Sequence, residues 1–473
     1  MPPAASAMPP QIEDGLPSPQ RQRAVLVIVL GIAVSVLDGT VMNLALPSIA
    51  RDLQANAAQS IWVVNAYQIA ILALLLPLAN LGDLLGYRRV YLAGMSLFLL
   101  ASLAAMLAPN LPALVGARAL QGVGAAGIMS VNTALVRRVY PAALLGRGIA
   151  LNSLVVATAA VAGPSLAAAV LSVASWPWLF VLNLPLGLLV LSLGWRALPH
   201  NAAAAVANAR IAPLDVLLNA LMFCLLFIGA DRLGVGSSAS GHVPPDAIAL
   251  LLAGIAIGVL YIRRQRARVA PLFPVDLLRL PVFALSMGAS IGAFCAQMLA
   301  YVALPFLLLE GYGFTHLKAG LLISVWPLSI MVAAPLAGRL IDRVPAGLLG
   351  GIGMVLLAAG LGWLAALPAQ PSDVNIAWRM ALCGLGFGLF QSPNNHTIVT
   401  AAPHHRNGAA SGMLGTARLT GQTLGAMLAA VLFSVWAPHP GSIGPAIALA
   451  AGAVFALLSG ACSVLRVPAA RRP

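Results

Sequence analysis

The chain has 473 residues, of which 60% are hydrophobic and only 8% charged, with a mean hydropathy of +0.95 and a net charge of +14. Soluble domains carry about a quarter of their residues as charges, so this composition excludes an ordinary cytosolic enzyme, a disordered chain and a fibrous repeat. It points instead to a membrane protein with many spans, in which basic residues mark cytoplasmic loops and no nucleic-acid partner is expected.

Residues 1–23 are rich in Pro, Ala, Ser and Gln and lack an apolar core, which predicts a disordered cytoplasmic leader rather than a cleavable signal. A bilayer-crossing helix needs about 20 apolar residues. Fourteen segments meet that need, at 24–46, 60–81, 90–108, 112–135, 147–172, 177–196, 214–233, 246–262, 283–309, 316–338, 346–367, 375–400, 407–436 and 443–465. They group as an N-terminal six-helix half (24–196), a two-helix insert with basic cytoplasmic loops (197–282), and a C-terminal six-helix half with a short tail (283–473). With the N-terminus placed inside, 20 of the 26 basic residues fall in inner loops and tails, Arg466 of the C-terminal tail among them. Four fall outside (Arg51, Arg232, Lys318 and Arg379), and Arg118 and Arg418 lie within spans. That bias predicts a plasma (inner) membrane protein with both termini cytoplasmic. The basic run from Arg263 to Arg268 reads as a topology anchor, with lipid headgroup contact as the alternative.

No cofactor or metal is expected. Cys224, Cys295, Cys383 and Cys462 stand singly in apolar runs, where thiols pack as small hydrophobes. The G-x-G-x-x-G from Gly122 to Gly127 follows no strand and lies inside a span, so it does not read as a dinucleotide site.

Charges inside a bilayer are costly and are candidates for function. Asp38 lies about 8 residues before the predicted outer end of the first span, roughly 12 Å deep at 1.5 Å per residue. Arg118 lies about 6 residues inside the fourth, roughly 9 Å deep. The similar depths predict a pair, direct or through water. Burial disfavours a carboxylate's charge and a neighbouring arginine favours it. Balanced between the two, Asp38 is expected to exchange a proton that a cationic substrate could displace; the alternative is a static pair holding two helices. Asn43 lies near Asp38, and polar stripes recur at helical spacing: Trp62, Asn65 and Gln68; Arg118, Gln121 and Asn132; Gln391, Asn394 and Asn395; Arg418 and Gln422. These side chains either line a cavity or bond neighbouring helices. His396 is expected to be bonded locally, with a second proton site as the alternative, and Glu310 and Asp231, near outer span ends, are expected to be solvated, with a vestibule role as the alternative.

A repeat narrows the reading. Ala79-Asn80-Leu81-Gly82-Asp83, continuing to Gly86, Arg88 and Arg89, follows the second span. Gly338-Arg339-Leu340-Ile341-Asp342-Arg343 follows the tenth, as two halves around a two-helix insert require. The first copy resembles the loop 2–3 signature of the major facilitator superfamily. Leu37-Asp38-Gly39-Thr40 through Leu46-Pro47 is similar to the first-helix signature of its drug:proton antiporters, and Arg118-Ala119-Leu120-Gln121-Gly122 to their fourth. Gly163-Pro164 resembles the antiporter motif, with Ala167-Ala168 where a glycine pair is usual. Trp176 to Gly187 resembles the start of helix six in the fourteen-helix, EmrB/QacA-type branch, with Pro177 in place of its arginine.

This resemblance implies an all-α polytopic membrane protein with the major facilitator fold, fourteen transmembrane helices arranged 6 + 2 + 6, and no enzymatic activity. It implies proton-coupled export of amphipathic, including cationic, small molecules by alternating access (multidrug efflux, antibiotic resistance), with substrate, protons and the bilayer as partners. A periplasmic adaptor is neither implied nor excluded. Asp83, Gly86, Arg88 and Arg89 with Asp342 and Arg343 would latch the two halves, and Gly163-Pro164 would be a hinge. Export of one metabolite, lipid precursor or siderophore is the alternative; a non-transporting scaffold or receptor would not explain buried Asp38 and Arg118.

Overall fold

A computed structural model describes residues 15–199, 213–240, 244–266, 273–341, 343–403, 407–436 and 443–470. They form fourteen long helices: α1 (Ser18–Asp52), α2 (Trp62–Leu85), α3 (Tyr87–Met106), α4 (Leu111–Val139), α5 (Leu145–Val173), α6 (Asn183–Ala197), α7 (Pro213–Ser240), α8 (Pro245–Arg266), α9 (Pro281–Pro305), α10 (His316–Leu340), α11 (Ala346–Ala365), α12 (Asp373–Ala401), α13 (Asn407–Val435) and α14 (Ile443–Ala470). One-turn helices precede α2 (Ala57–Ser60) and α6 (Trp178–Val181), and a π-helical turn (Phe306–Gly311) ends α9. Thirteen spans are long and apolar enough to cross a membrane. α12 falls short because Asn375, Arg379, Gln391, Asn394, Asn395 and His396 dilute its apolar run.

Two boundaries shift with consequences. α1 begins at Ser18, so residues 18–23 are helical rather than part of the expected leader; residues 1–14 lie outside the described residues. Proline is tolerated in a helix's first turn, where its missing N–H has no partner to lose, and Pro19 sits there. α1 also runs through Pro47 to Asp52, beyond the expected end at 46. α14 runs past residue 465, which places Arg466 inside a helix rather than in a basic tail.

α2 and α3 meet at Gly86, which takes φ +100° and ψ +133°, a conformation that side-chain-bearing residues rarely adopt. We expect Gly86→Ala to cost about 1–3 kcal/mol, read as a lower melting temperature. Gly116→Ala, where an added Cβ meets nothing within 4 Å, should leave the melting temperature unchanged.

The glycines between Gly122 and Gly127 pack helices. A Cβ on Gly122 would lie 2.4 Å from the Tyr67 carbonyl of α2, and one on Gly124 would lie 2.6 Å from the Phe98 nitrogen of α3. Gly421 and Gly425 likewise bring α13 against the α9 backbone at the carbonyls of Ile291 and Cys295.

α1 packs on α5 and α6, and α4 on α2 and α3. α9 packs on α13 and α14, and α12 on α10 and α11. The two groups meet through α5 with α10, α2 with α13 and α1 with α9. α7 and α8 pair with each other, and α7 lies against α2 and α13 along that seam. On the face opposite the start of α1, one apolar cluster spans both groups, from Leu46, Ile49 and Ala167 to Leu304, Leu308 and Leu322. On the face where α1 starts and α14 ends, a small cluster holds Phe283, Ile398 and Met413, apart from a larger one that runs from Ala24, Val27 and Val139 to Phe223 of α7 and Leu419 and Met427 of α13. The opposite face, where one cluster packs both groups together, is the sealed one.

Candidate functional site

α1, α3, α4 and α6 bring five polar side chains to one point inside the first group, and α2 adds the Val63 carbonyl and the Tyr67 ring. Arg118 Nη1 donates to Asp38 Oδ2 at 2.5 Å and to Gln121 Oε1 at 2.6 Å, and its Nε donates to the Val63 carbonyl at 3.0 Å. Asp38 Oδ1 accepts from Gln121 Nε2 and from Asn183 Nδ2, each at 2.8 Å. Ser102 Oγ accepts from Gln121 at 2.9 Å. The guanidinium carbon lies 4.2 Å from the ring centre of Tyr67 and 5.9 Å from that of Phe180. Arg118 is fully buried and Asp38 is 3% exposed.

The pairing expected from depth is thus direct. Asp38 sits 14 residues, about 21 Å of rise, before the end of α1, because the helix continues past Pro47. Of the partners, Gln121 was legible from its place beside Arg118. Ser102, Asn183 and Tyr67 were missed; Asn183 had a signal, as an amide isolated in an apolar run.

The remaining polar residues divide by whether their hydrogen bonds are met. Asn394 is satisfied: Nδ2 donates to Ser290 Oγ at 2.7 Å, and Oδ1 accepts from Arg466 Nη1. Arg466 is 2% exposed and also donates to Ser286 Oγ and the Ala346 carbonyl, each at 3.0 Å. Of the two readings left open for its stripe, Asn394 here bonds helices, and Arg466, expected in the tail, ties α14 to α9, α11 and α12. Gln391 and Asn395 are half-buried and His396 is exposed.

By contrast, Asn43 Oδ1, Asn65 Oδ1, Gln68 Oε1 and Asn132 Nδ2 are buried without a partner among the described residues. Such atoms are rare unless water or a ligand meets them. Asn43 borders a void about the size of one water, together with Thr40, Pro164, Tyr301, Pro305 and Ile323. Gln68 Nε2 reaches Met298 Sδ of α9 at 3.8 Å. Arg418 and Gln422 are half-buried on α13. The Arg418 charge reaches Tyr67, and its Nε has no partner among the described residues.

The Asp83 segment makes its described contacts within its own group. Asp83 Oδ1 accepts from the Tyr87 hydroxyl, whose ring lies 5.1 Å from the Arg138 guanidinium of α4. Arg88 Nη2 donates to the Trp195 carbonyl of α6. Arg89 and Arg343 are exposed, and Asp342 lies outside the described residues. These described partners come from α3, α4 and α6. On the sealed face, Ser48 Oγ and His316 Nε2 are 2.9 Å apart, and Ser165 and Ser324 share a hydrogen bond of 2.8 Å. Gly163 sits where α5 crosses α1: a Cβ there would lie 2.0 Å from Thr40 Oγ1.

Comparison with known proteins agrees with this architecture. The Major Facilitator Superfamily profile matches residues 28–426. The chain is 51% identical over 460 residues to the "Uncharacterized transporter YebQ" of Escherichia coli (strain K12), covering 97% of this chain and 98% of that one. It is 28% identical to the "Riboflavin transporter RibZ" of Clostridioides difficile (strain 630), over 86% and 87% of the two chains. It is 30% identical to the "Multidrug resistance protein Stp" of Mycobacterium tuberculosis (strain CDC 1551 / Oshkosh), over 87% and 76%. A crystal structure of a POT family transporter in complex with 5-aminolevulinic acid matches with a TM-score of 0.68 at 15% identity, over 95% and 96% of the chains, a likeness of fold alone. A multi-pass helical membrane protein with a buried ion pair between its first and fourth helices, this chain belongs to the Major Facilitator Superfamily, whose members are transporters rather than enzymes.

Proposed function

We propose that the chain is a proton-coupled exporter of amphipathic, including cationic, small molecules, working by alternating access in the plasma (inner) membrane with both termini cytoplasmic. Its halves are residues 24–196 and 283–473, with 197–282 as the two-helix insert. The observation that carries the reading is the Asp38–Arg118 pair, because an ion pair enclosed in a bilayer protein is a costly feature to keep without a use.

The network also supplies a way to switch. With Asp38 ionised, three donors hold its carboxylate: Arg118, Gln121 and Asn183. When a proton takes Asp38, Arg118 loses its counter-charge but keeps the Val63 carbonyl, Gln121 Oε1 and the Tyr67 ring as partners. A cationic substrate then competes with that proton for one carboxylate, which couples the two flows. Asn43, Asn65, Gln68, Asn132, Arg418 and Gln422 would line the substrate path, the first four because buried polar atoms on each lack a protein partner. The face sealed by one apolar cluster common to both groups fits one end of a rocking cycle. The kinship with Stp favours a broad drug spectrum; the kinship with RibZ favours one dedicated metabolite.

The test is transport in proteoliposomes with an imposed pH gradient and a panel of cationic dyes, run beside riboflavin. Gradient-dependent accumulation of several dyes is the expected result. Accumulation that survives collapse of the gradient would sink the coupling, and movement of riboflavin alone would favour the dedicated exporter.

A further inference from the structure

One buried acid outside the Asp38 network has no role yet. Asp231 on α7 is 6% exposed, not solvated as its place near a span end predicted. Its Oδ2 accepts from Trp62 Nε1 at 3.1 Å, and its Oδ1 has no partner among the described residues. The nearest cation, Arg232, is 64% exposed and directs Nη1 to Asp246 of α8 at 3.6 Å. From the other helices against α7, α2 carries the Tyr67 phenol and, at its far end, Asp83, and α13 carries Arg418. Among the described residues, Asp231 is thus a carboxylate buried beside one neutral donor, with one oxygen unmet. Carrying a charge there is costly.

The position also matters. Trp62 directly precedes Val63, whose carbonyl takes the Arg118 Nε, and Arg118 holds Asp38. Two consecutive residues of α2 therefore join Asp231 to the central pair, and α7 touches α13 as well, on the seam between the halves.

We propose that Asp231 is a second proton-binding carboxylate, bound through the insert helix to the movement of α2. The carboxylate takes a proton from water to become the neutral acid and returns it to water when Trp62 shifts. The chain then carries up to two protons per cycle rather than one, and the insert takes part in coupling. The inference rests on the reading of the chain as proton-coupled.

The test is a pH-induced infrared difference spectrum of the purified full-length protein in lipid, which reads the C=O stretch of protonated carboxyls and needs no substrate. Asp231→Asn keeps an acceptor for Trp62, and its melting temperature should match that of the unaltered protein. The expected result is a titrating band that Asp231→Asn removes, that Asp38→Asn leaves, and that Trp62→Phe shifts by deleting the N–H donor. A spectrum of a folded Asp231→Asn variant identical to that of the unaltered protein overturns the proposal. An Asp38→Asn spectrum with no band lost would count against the role of Asp38 and leave that of Asp231 standing.

Discussion

Replacing Asp38 with Asn is expected to abolish gradient-driven accumulation while leaving downhill substrate movement. Asn183 and Gln121 each donate to the carboxylate at 2.8 Å, and the substituted amide can still accept from them, so the local geometry should survive. What disappears is the group that exchanges a proton for a cation. The change also strands a fully buried Arg118, and leaving one member of a buried pair costs about 3–5 kcal/mol. Arg118→Met should therefore destabilise by a similar amount, because Asp38 then keeps only amide donors. The double variant Asp38→Asn with Arg118→Met should recover much of that stability without recovering uphill transport. Proteoliposome uptake and thermal unfolding read the two effects separately. Full gradient-driven accumulation by Asp38→Asn would end the role assigned to it.

Gly320→Leu is expected to have the second large effect, on conformation rather than chemistry. A Cβ at Gly320 would stand 2.3 Å from Ala168 Cβ, 2.8 Å from the Pro164 carbonyl and 3.3 Å from Leu44 Cδ2. α10 must then leave α5, and the face sealed through Ser165 and Ser324 cannot close. Overpacking of this kind costs about 1–3 kcal/mol, enough to move a two-state equilibrium by roughly 5–150-fold. Labelling of Ser165→Cys by a membrane-impermeant maleimide should accelerate accordingly. Gly338→Leu, whose Cβ meets nothing within 4 Å, should leave the labelling rate unchanged. Equal labelling in both backgrounds would show that this glycine does not govern closure.

These two sites were not equally readable in advance. Asp38 and Arg118 stand out because each interrupts a long apolar run, where a charge has no inexpensive place. Gln121 follows from helical spacing. Asn394 looked the same as Asn65 and Gln68, since a stripe reports which residues share a face and not what that face meets. In the structure Asn394 finds Ser290 and Arg466, while Asn65 Oδ1 and Gln68 Oε1 find nothing among the described residues. Arg466 read as a tail residue because it follows an apolar run, yet α14 extends past it and buries it. Asp231 read as solvated because its span ends nearby, but α2 covers it. The Asp83 segment was recognisable by its pattern; whether it joins the two halves depends on which face is closed.

Composition was enough for helices and for a multi-pass membrane protein. In a bilayer each backbone polar group must be bonded within its own segment, so an apolar run of about 20 residues has little choice but a helix. Partnership between helices is another matter. The bond from Arg118 to Asp38 spans 80 positions of the chain, and that from Arg466 to Ser286 spans 180. Local pattern carries no record of such distances. Only the packing of α1 with α4 and α6, and of α7 against α2, decided which buried charge is answered and which is left to a neutral donor.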